Sequence, residues 1–402
     1  MYNQLVKTSR FQLLAIVALL LLLPVAVFLA PNVFVGAQSQ DPSKANAGAP
    51  LPKIPVTAAI PWPMFRGNPS LTGVSKATLP DKPKLAWTFK AGDYIKGSPV
   101  IVGSRAYITT MDGKLFALEL STGKKLWQFE TDAPIPTSPC VADNTVFIAS
   151  TDQKLIALNA ETGLKLWEYE IPGAIYGGPT WVDGKVICPS GDRMFCIDAK
   201  TQKEVWAVGI GMPIYSAASI TGDSVAFGGC DGALHVVALK DGSDLAAVGV
   251  GQPVQCSPAL SNGFAYFGLA NEGSEVIAAD ITKGEIAWRF QNPNSFPFTS
   301  TPAVTDTCVI AGGHDKYLHC LNRADGKELW SFLTRGEIDS SPIVANDRIV
   351  FGSGDGRVYI VSLQGKELWS YEIGSPVEST AAVTEGLFMI GAADGVLYCF
   401  SY

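Results

Sequence analysis

The chain has 402 residues, 47% hydrophobic and only 17% charged, which is enough apolar material for a large core. Its 40 glycines and 26 prolines favour a fold with many turns. A net charge of −7 excludes the basic footprint expected of a nucleic-acid binder.

The N-terminus reads as a targeting segment. "MYNQLVKTSR" supplies a positive end, and Phe11–Ala30 is an uncharged apolar run. The small residue Ala37 closes a possible cleavage site, "VGA". A run of about 20 apolar residues also suffices to span a bilayer. Residues 1–37 therefore stand as either a cleaved signal peptide or a retained membrane anchor. Both readings place the rest of the chain outside the cytoplasm, periplasmic or anchored facing the periplasm. No cysteine lies near the apolar run to carry a lipid, the first being Cys140. Residues 38–61 are rich in Ala, Pro and small polar residues and read as a linker.

From residue 62 onward the chain repeats. Tryptophan stands at Trp87, Trp127, Trp167, Trp206, Trp288, Trp330 and Trp369, in steps of 39 to 42 with one double step. Ala246 occupies the slot missed by the double step, which makes eight slots. A full copy opens with Ser-Pro and a short apolar run, as in "SPVIV" at Ser98. A second run, "AYITT", leads to Asp112-Gly113; a third, "KLFALEL", leads to Thr122-Gly123; "KKLWQF" follows. These short, β-branched and aromatic runs predict four antiparallel strands in about 40 residues, one propeller blade. Asp-Gly predicts a two-residue type I′ hairpin with both residues at positive φ. The last copy stops at "LYCFSY" without its Trp strand, and the first Trp strand, around Trp87, lacks its three predecessors. The expected fold is all-β: an eight-bladed propeller over residues 62–402, its last blade closed by the N-terminal strand so that no open edge remains.

Ten residues before most Trp positions stands a small residue: Ala117, Ala157, Cys196, Ala278 and Cys320. A flat indole packs closely only where its neighbour is small, and once buried it needs an acceptor for its N–H. Val236 fills that position in the blade lacking Trp, and Ile360 in the seventh copy. The seven tryptophans are accordingly assigned to blade docking.

The eleven-residue unit A-x-x-x-x-T-G-K-x-x-W resembles the Trp-docking motif of the PQQ-type repeat propellers, including the BamB-like members. The resemblance runs from the lead-in "WPMFRGNPSLTG", Trp62 to Gly73, through residue 402. It implies the propeller fold and, for function, two classes: cofactor-free scaffolds of outer-membrane assembly and quinoprotein dehydrogenases. The second would hold pyrroloquinoline quinone (PQQ) over Ca²⁺. This chain has no adjacent cysteine pair of the kind that flanks the quinone in many such enzymes, and its blades leave little loop for an enclosed cofactor cavity. No cofactor, metal ligand set or catalytic residue is assigned.

The eight cysteines in an exported chain raise the question of disulfides. Cys196, Cys320 and Cys399 repeat one strand position in separate blades, which is too far apart to bond, and they read as small apolar fillers. His235 and His319 take a position held elsewhere by Phe116, Phe195 and Tyr359, whereas His314 lies beside a hairpin turn. The residues that escape the repeat lie just before each Ser-Pro slot: Lys96, Pro136, Tyr176, Tyr215, Gln255, Thr299, Asp339 and Glu378. At the crossing from each outer strand to the next inner strand, they should ring one mouth of the central channel. Asp339, Glu378 and Lys96 form a charged arc; Tyr176, Tyr215 and Gln255 form an arc suited to a protein partner or small ligand. The function expected is a non-catalytic scaffold for envelope proteins, with a small PQQ-dependent oxidoreductase as the alternative.

Overall fold

The computed structural model describes residues 54, 60–270, 274–293 and 295–402. The N-terminal apolar run and most of residues 38–61 lie outside these. Among the described residues, no helix is long and apolar enough to cross a membrane.

The apolar runs form strands where the repeat places them. In blade one, Val100–Val102, Arg105–Thr109, Lys114–Glu119 and Lys125–Glu130 pair in sequence order, innermost to outermost. The inner three strands are almost wholly buried, and the outer strand alternates between half-buried and exposed. Eight such sheets form the ring. In blade eight, Ala382–Thr384, Leu387–Gly391 and Val396–Ser401 are joined by Lys84–Lys90, with Trp87 opposite Cys399. The N-terminal strand thus closes the ring, as the two fragmentary copies predict.

The hairpin turns differ from expectation. Asp112 has no positive φ; only Gly113 does, at 83°. The Gly113 N–H donates to the Thr110 carbonyl at 3.1 Å, and the Thr110 N–H to the Lys114 carbonyl at 2.9 Å. This is a three-residue loop, a type I turn followed by a left-handed glycine. The aspartate is needed for its side chain. Asp355 accepts the Tyr359 hydroxyl at 2.7 Å and Asp394 the Tyr398 hydroxyl at 2.6 Å. In two other blades an imidazole nitrogen takes the place of the phenol, His235 on Asp231 at 2.7 Å and His319 on Asp315 at 3.0 Å. His235 stacks on Phe227 much as Tyr359 stacks on Phe351, with ring centroids 5.4 Å apart in each pair. The histidines therefore replace aromatics in packing and hydrogen bonding alike. His319 also meets Glu328 at 2.7 Å. Burial works to lower its pKa, but the two carboxylates outweigh that and hold the imidazole above its usual range.

Trp87, Trp127, Trp206, Trp288 and Trp330 dock on the following blade. The Trp87 indole donates to the Leu120 carbonyl at 3.0 Å, Trp206 to Leu239 at 2.9 Å and Trp330 to Leu363 at 2.8 Å. The small residue ten positions earlier is the direct cross-strand partner, as in Ala117–Trp127, and each such pairing has a β-bulge beside it. The Thr-Gly turn serves the neighbour: a Cβ on Gly123 would stand 2.5 Å from the Trp87 ring. Glycine is needed there both for its φ of 70° and for the contact. In blade four the bulge persists beside Val236–Ala246 although the Trp is gone. The seat beyond it, Gly284, has nothing closer to its Cβ position than Ala246 Cβ at 3.9 Å.

That empty seat gives a stability test. Ala246→Trp alone should crowd Val236, which is 1% exposed. Val236→Ala with Ala246→Trp should be more stable than the single variant by about 1–3 kcal/mol, the usual cost of overpacking. Urea midpoints measure the difference, and identical midpoints would contradict the account of the docking slot.

All eight thiols are free, and six are buried. Ile187 pairs with Cys196 and Cys188 with Phe195, so the two cysteines of this hairpin point to opposite faces and into different core clusters. Burial pushes Cys140, Cys188 and Cys196 up to about 12, as expected for inert fillers.

Candidate functional site at the channel mouth

The lead-in Trp62–Ser75 runs across the inside of the ring. Its carbonyls accept N–H bonds from the inner strands of blades one, two and four to seven. Pro63 accepts from Val141 at 2.7 Å, Pro69 from Ile220 at 2.8 Å, Ser70 from Leu260 at 2.8 Å, Thr72 from Val304 at 3.0 Å and Gly73 from Val344 at 2.8 Å. Trp62 pairs in both directions with Ile101, and Val74–Ser75 adds a parallel strand to Ile343–Ala345 of blade seven. Arg66 clamps this strap. Its side chain is fully buried, with Nε donating to the Leu71 carbonyl at 2.9 Å and Nη2 to the Pro302 carbonyl of blade six at 2.7 Å. Nothing in the sequence of the lead-in announces this role, because carbonyls rather than side chains make most of the bonds.

Beside the strap the channel holds a cavity of about 480 Å³. All eight crossing residues, Lys96, Pro136, Tyr176, Tyr215, Gln255, Thr299, Asp339 and Glu378, line it, as does Phe65 of the strap. Beneath them runs a belt that accounts for the serine of the Ser-Pro slot. The Ser98 N–H donates to Ser138 Oγ at 2.8 Å, Thr301 N–H to Ser341 Oγ at 3.0 Å, Ser341 N–H to Thr380 Oγ1 at 3.2 Å and Thr380 N–H to Ser98 Oγ at 3.2 Å. Each bond ties one blade to the next where the mouth opens. Gly178 and Ala217 stand in this position without a hydroxyl, on the same side as the tyrosines.

The two arcs differ chemically. Tyr176 and Tyr215 are 52% and 37% exposed, and their ring centroids lie 5.0 Å apart at 55°. Paired aromatics that remain in water suit an apolar or planar group of a partner. Across the mouth, the Tyr94 hydroxyl donates to Glu378. Burial raises the Tyr94 pKa, and its bond to Glu378 and the nearby Asp339 raise it further. Asp339 accepts from Thr299 Oγ1 and from His314 Nε2, each at 2.7 Å. Burial works to raise the Asp339 pKa, but these bonds, with Lys96 nearby, hold it below the usual carboxylate range. The hydrogen bond to Asp339 in turn holds the His314 imidazole above its own. Sequence reasoning left His314 at a hairpin turn; the structure brings it to the mouth. Thr299 also lies 3.0 Å from His314 Nε2. Thr299 and Asp339 thus share one ring nitrogen, and the hydroxyl points to the carboxylate, so no nucleophile–base–orienter relay is formed.

A family model described as outer membrane protein assembly factor BamB matches residues 74–174, 137–258 and 272–401. The chain belongs to this family. Among solved structures, BamB from Moraxella catarrhalis is similar with a TM-score of 0.68 at 18% identity, over 80% of this chain and 100% of that one. Quinohemoprotein alcohol dehydrogenase from Comamonas testosteroni is similar with a TM-score of 0.74 at 13% identity, over 85% and 80%. At these identities the likeness concerns the fold. A stretch of 78 residues is 31% identical to the β-alanine-activating enzyme of Danio rerio, which is 18% of this chain and 7% of that protein. The chain thus matches only a small fraction of that curated relative's length.

Proposed function

We propose that this chain is a non-catalytic scaffold at a bacterial envelope membrane, binding other proteins at the open mouth of its propeller. The observation that carries the reading is the contrast within a regular ring. The strap and the docking positions are given over to closure, and the residues that vary freely all converge on one cavity. Membership of a family described by outer-membrane assembly supports protein partners. Rigid blades hold the mouth in its binding geometry, so association loses little conformational freedom.

The quinoprotein alternative asks the same cavity to hold PQQ with Ca²⁺, and its residues do not fit. The quinone is a polycarboxylate, yet the crossing residues offer one cation, Lys96, against Asp339 and Glu378. Ca²⁺ takes about 6–8 oxygen ligands. The crossing residues supply only two carboxylates, Asp339 and Glu378, on separate blades, well short of that number.

Site-specific photo-crosslinking in cells tests the proposal. A photoreactive residue at Tyr176 or Tyr215 should capture envelope proteins, and Asp339→Lys with Glu378→Lys should reduce that capture severalfold. A control at Leu166, 52% exposed on an outer strand, should capture less. If the mouth positions recover nothing above background, the scaffold reading of this face fails and a small ligand becomes the better account.

A further inference from the structure

Where blades six and seven meet, three departures from the repeat fall at one point of the mouth. The turn position of His314 is fixed by a backbone bond that recurs around the ring. His314 N–H donates to the Pro297 carbonyl as Met111 does to Tyr94, Thr151 to Pro134, Cys230 to Pro213 and Ala393 to Pro376. Only the copy in blade six carries an imidazole among these. On the next blade the acceptor position is Glu337, where other copies have Tyr, Pro or Ala, and two residues on stands Asp339.

One ligand atom from each of His314, Glu337 and Asp339 lies within 4.8 Å of the other two. Thr299 adds a fourth donor. His314 Nε2, Asp339 Oδ1 and Thr299 Oγ1 form a triangle with edges of 2.7, 2.7 and 3.0 Å. Ligands bound at about 2.1 Å around a tetrahedral ion stand roughly 3.4 Å apart, so each edge would open by only about 0.4–0.7 Å for the three atoms to share one ion. Glu337 lies 3.8 Å from the other ring nitrogen, Nδ1, and is 55% exposed. The cluster sets two carboxylates against one imidazole, with Lys96 near Asp339.

We propose that His314, Asp339 and Glu337, with Thr299, form a binding site for a divalent transition-metal ion of the Zn²⁺ class. An imidazole with carboxylates suits that class, whereas Ca²⁺ calls for more oxygen donors. The site bridges blades six and seven, beside the cavity that Thr299 and Asp339 line.

The full chain, stripped with a chelator, is titrated with ZnCl₂ and in parallel with CoCl₂. The expected result is one ion per chain at micromolar concentration, visible as Co²⁺ absorption bands, with Ca²⁺ failing to compete. His314→Gln and Asp339→Asn should each weaken binding at least tenfold. The three histidines also give few imidazole proton resonances, and Zn²⁺ should move the set that His314→Gln removes while leaving those of His235 and His319 in place. The stoichiometry and the Co²⁺ absorption are read on the native protein and do not depend on how either variant folds. Absence of binding at 1 mM Zn²⁺, binding that persists in both variants, or shifts at His235 or His319 instead would each overturn the assignment.

Discussion

Trp87→Ala should cost about 3–5 kcal/mol of stability, the range for truncating a large buried aromatic. The ring is 3% exposed, its N–H is bound by Leu120, and its strand is the outermost of blade eight. One substitution therefore loosens both the docking of blade eight on blade one and the closure of the circle. Trp167→Ala supplies the comparison. Trp167 is only partly buried, and the turn facing it has Gln202 at φ 59° where other blades have glycine. Its cost should be clearly smaller. Urea unfolding of both variants measures this; equal losses would mean that closure adds nothing to the Trp87 seat.

Arg66→Ala is the second large effect, expected at about 3–5 kcal/mol. Hydrogen bonds from a charged group contribute about 1.5–3 kcal/mol each, and truncation also leaves a cavity under the strap. Desolvation pushes the guanidinium down to about 9, still charged at neutral pH. Arg66→Lys should recover little, because an ammonium cannot reach the Leu71 and Pro302 carbonyls with the same fork. If Arg66→Ala unfolds at the wild-type midpoint, the strap is merely laid across the ring. Proteolysis gives a second reading, since a released lead-in should be cut between Phe65 and Leu71 well before the blades.

Much of the fold was legible because a propeller writes its architecture locally. Each blade is one stretch of chain, so the spacing of Trp, Asp-Gly and Thr-Gly carries strand order, and the fragmentary copies at both ends reveal the closure. The crossing residues could be located for the same reason: a position in the repeat is a position in space. What escaped the sequence depends on contacts between blades. The glycine of each Thr-Gly turn seats the previous blade's indole, a relation across about 36 residues that no single motif contains. The strap was invisible because its bonds come from backbone carbonyls and its spacing follows the circumference of the ring. His314 read as an ordinary turn residue, since its neighbours Thr299 and Asp339 lie 15 and 25 residues away. The Asp-Gly turns were misread at the first residue, where the demand is for an acceptor and not for positive φ.

The strap and the closing strand also set a schedule. Their partners include Asn346 for Ser75, Gly386 for Thr78 and Val396 for Lys90, some 270 to 310 residues downstream. At a synthesis rate of about 5–20 residues per second, the first strand waits roughly 15–60 seconds for its last partner to be made. Blades one to seven need only local contacts and can form as they emerge, whereas the ring remains open on one side until the C-terminal residues arrive. During that interval the inner edges and the strand around Trp87 are exposed together. Closure of the ring therefore waits for blade eight, and a product truncated before it keeps the strap's partners in blades one to seven but leaves the strand around Trp87 unpaired.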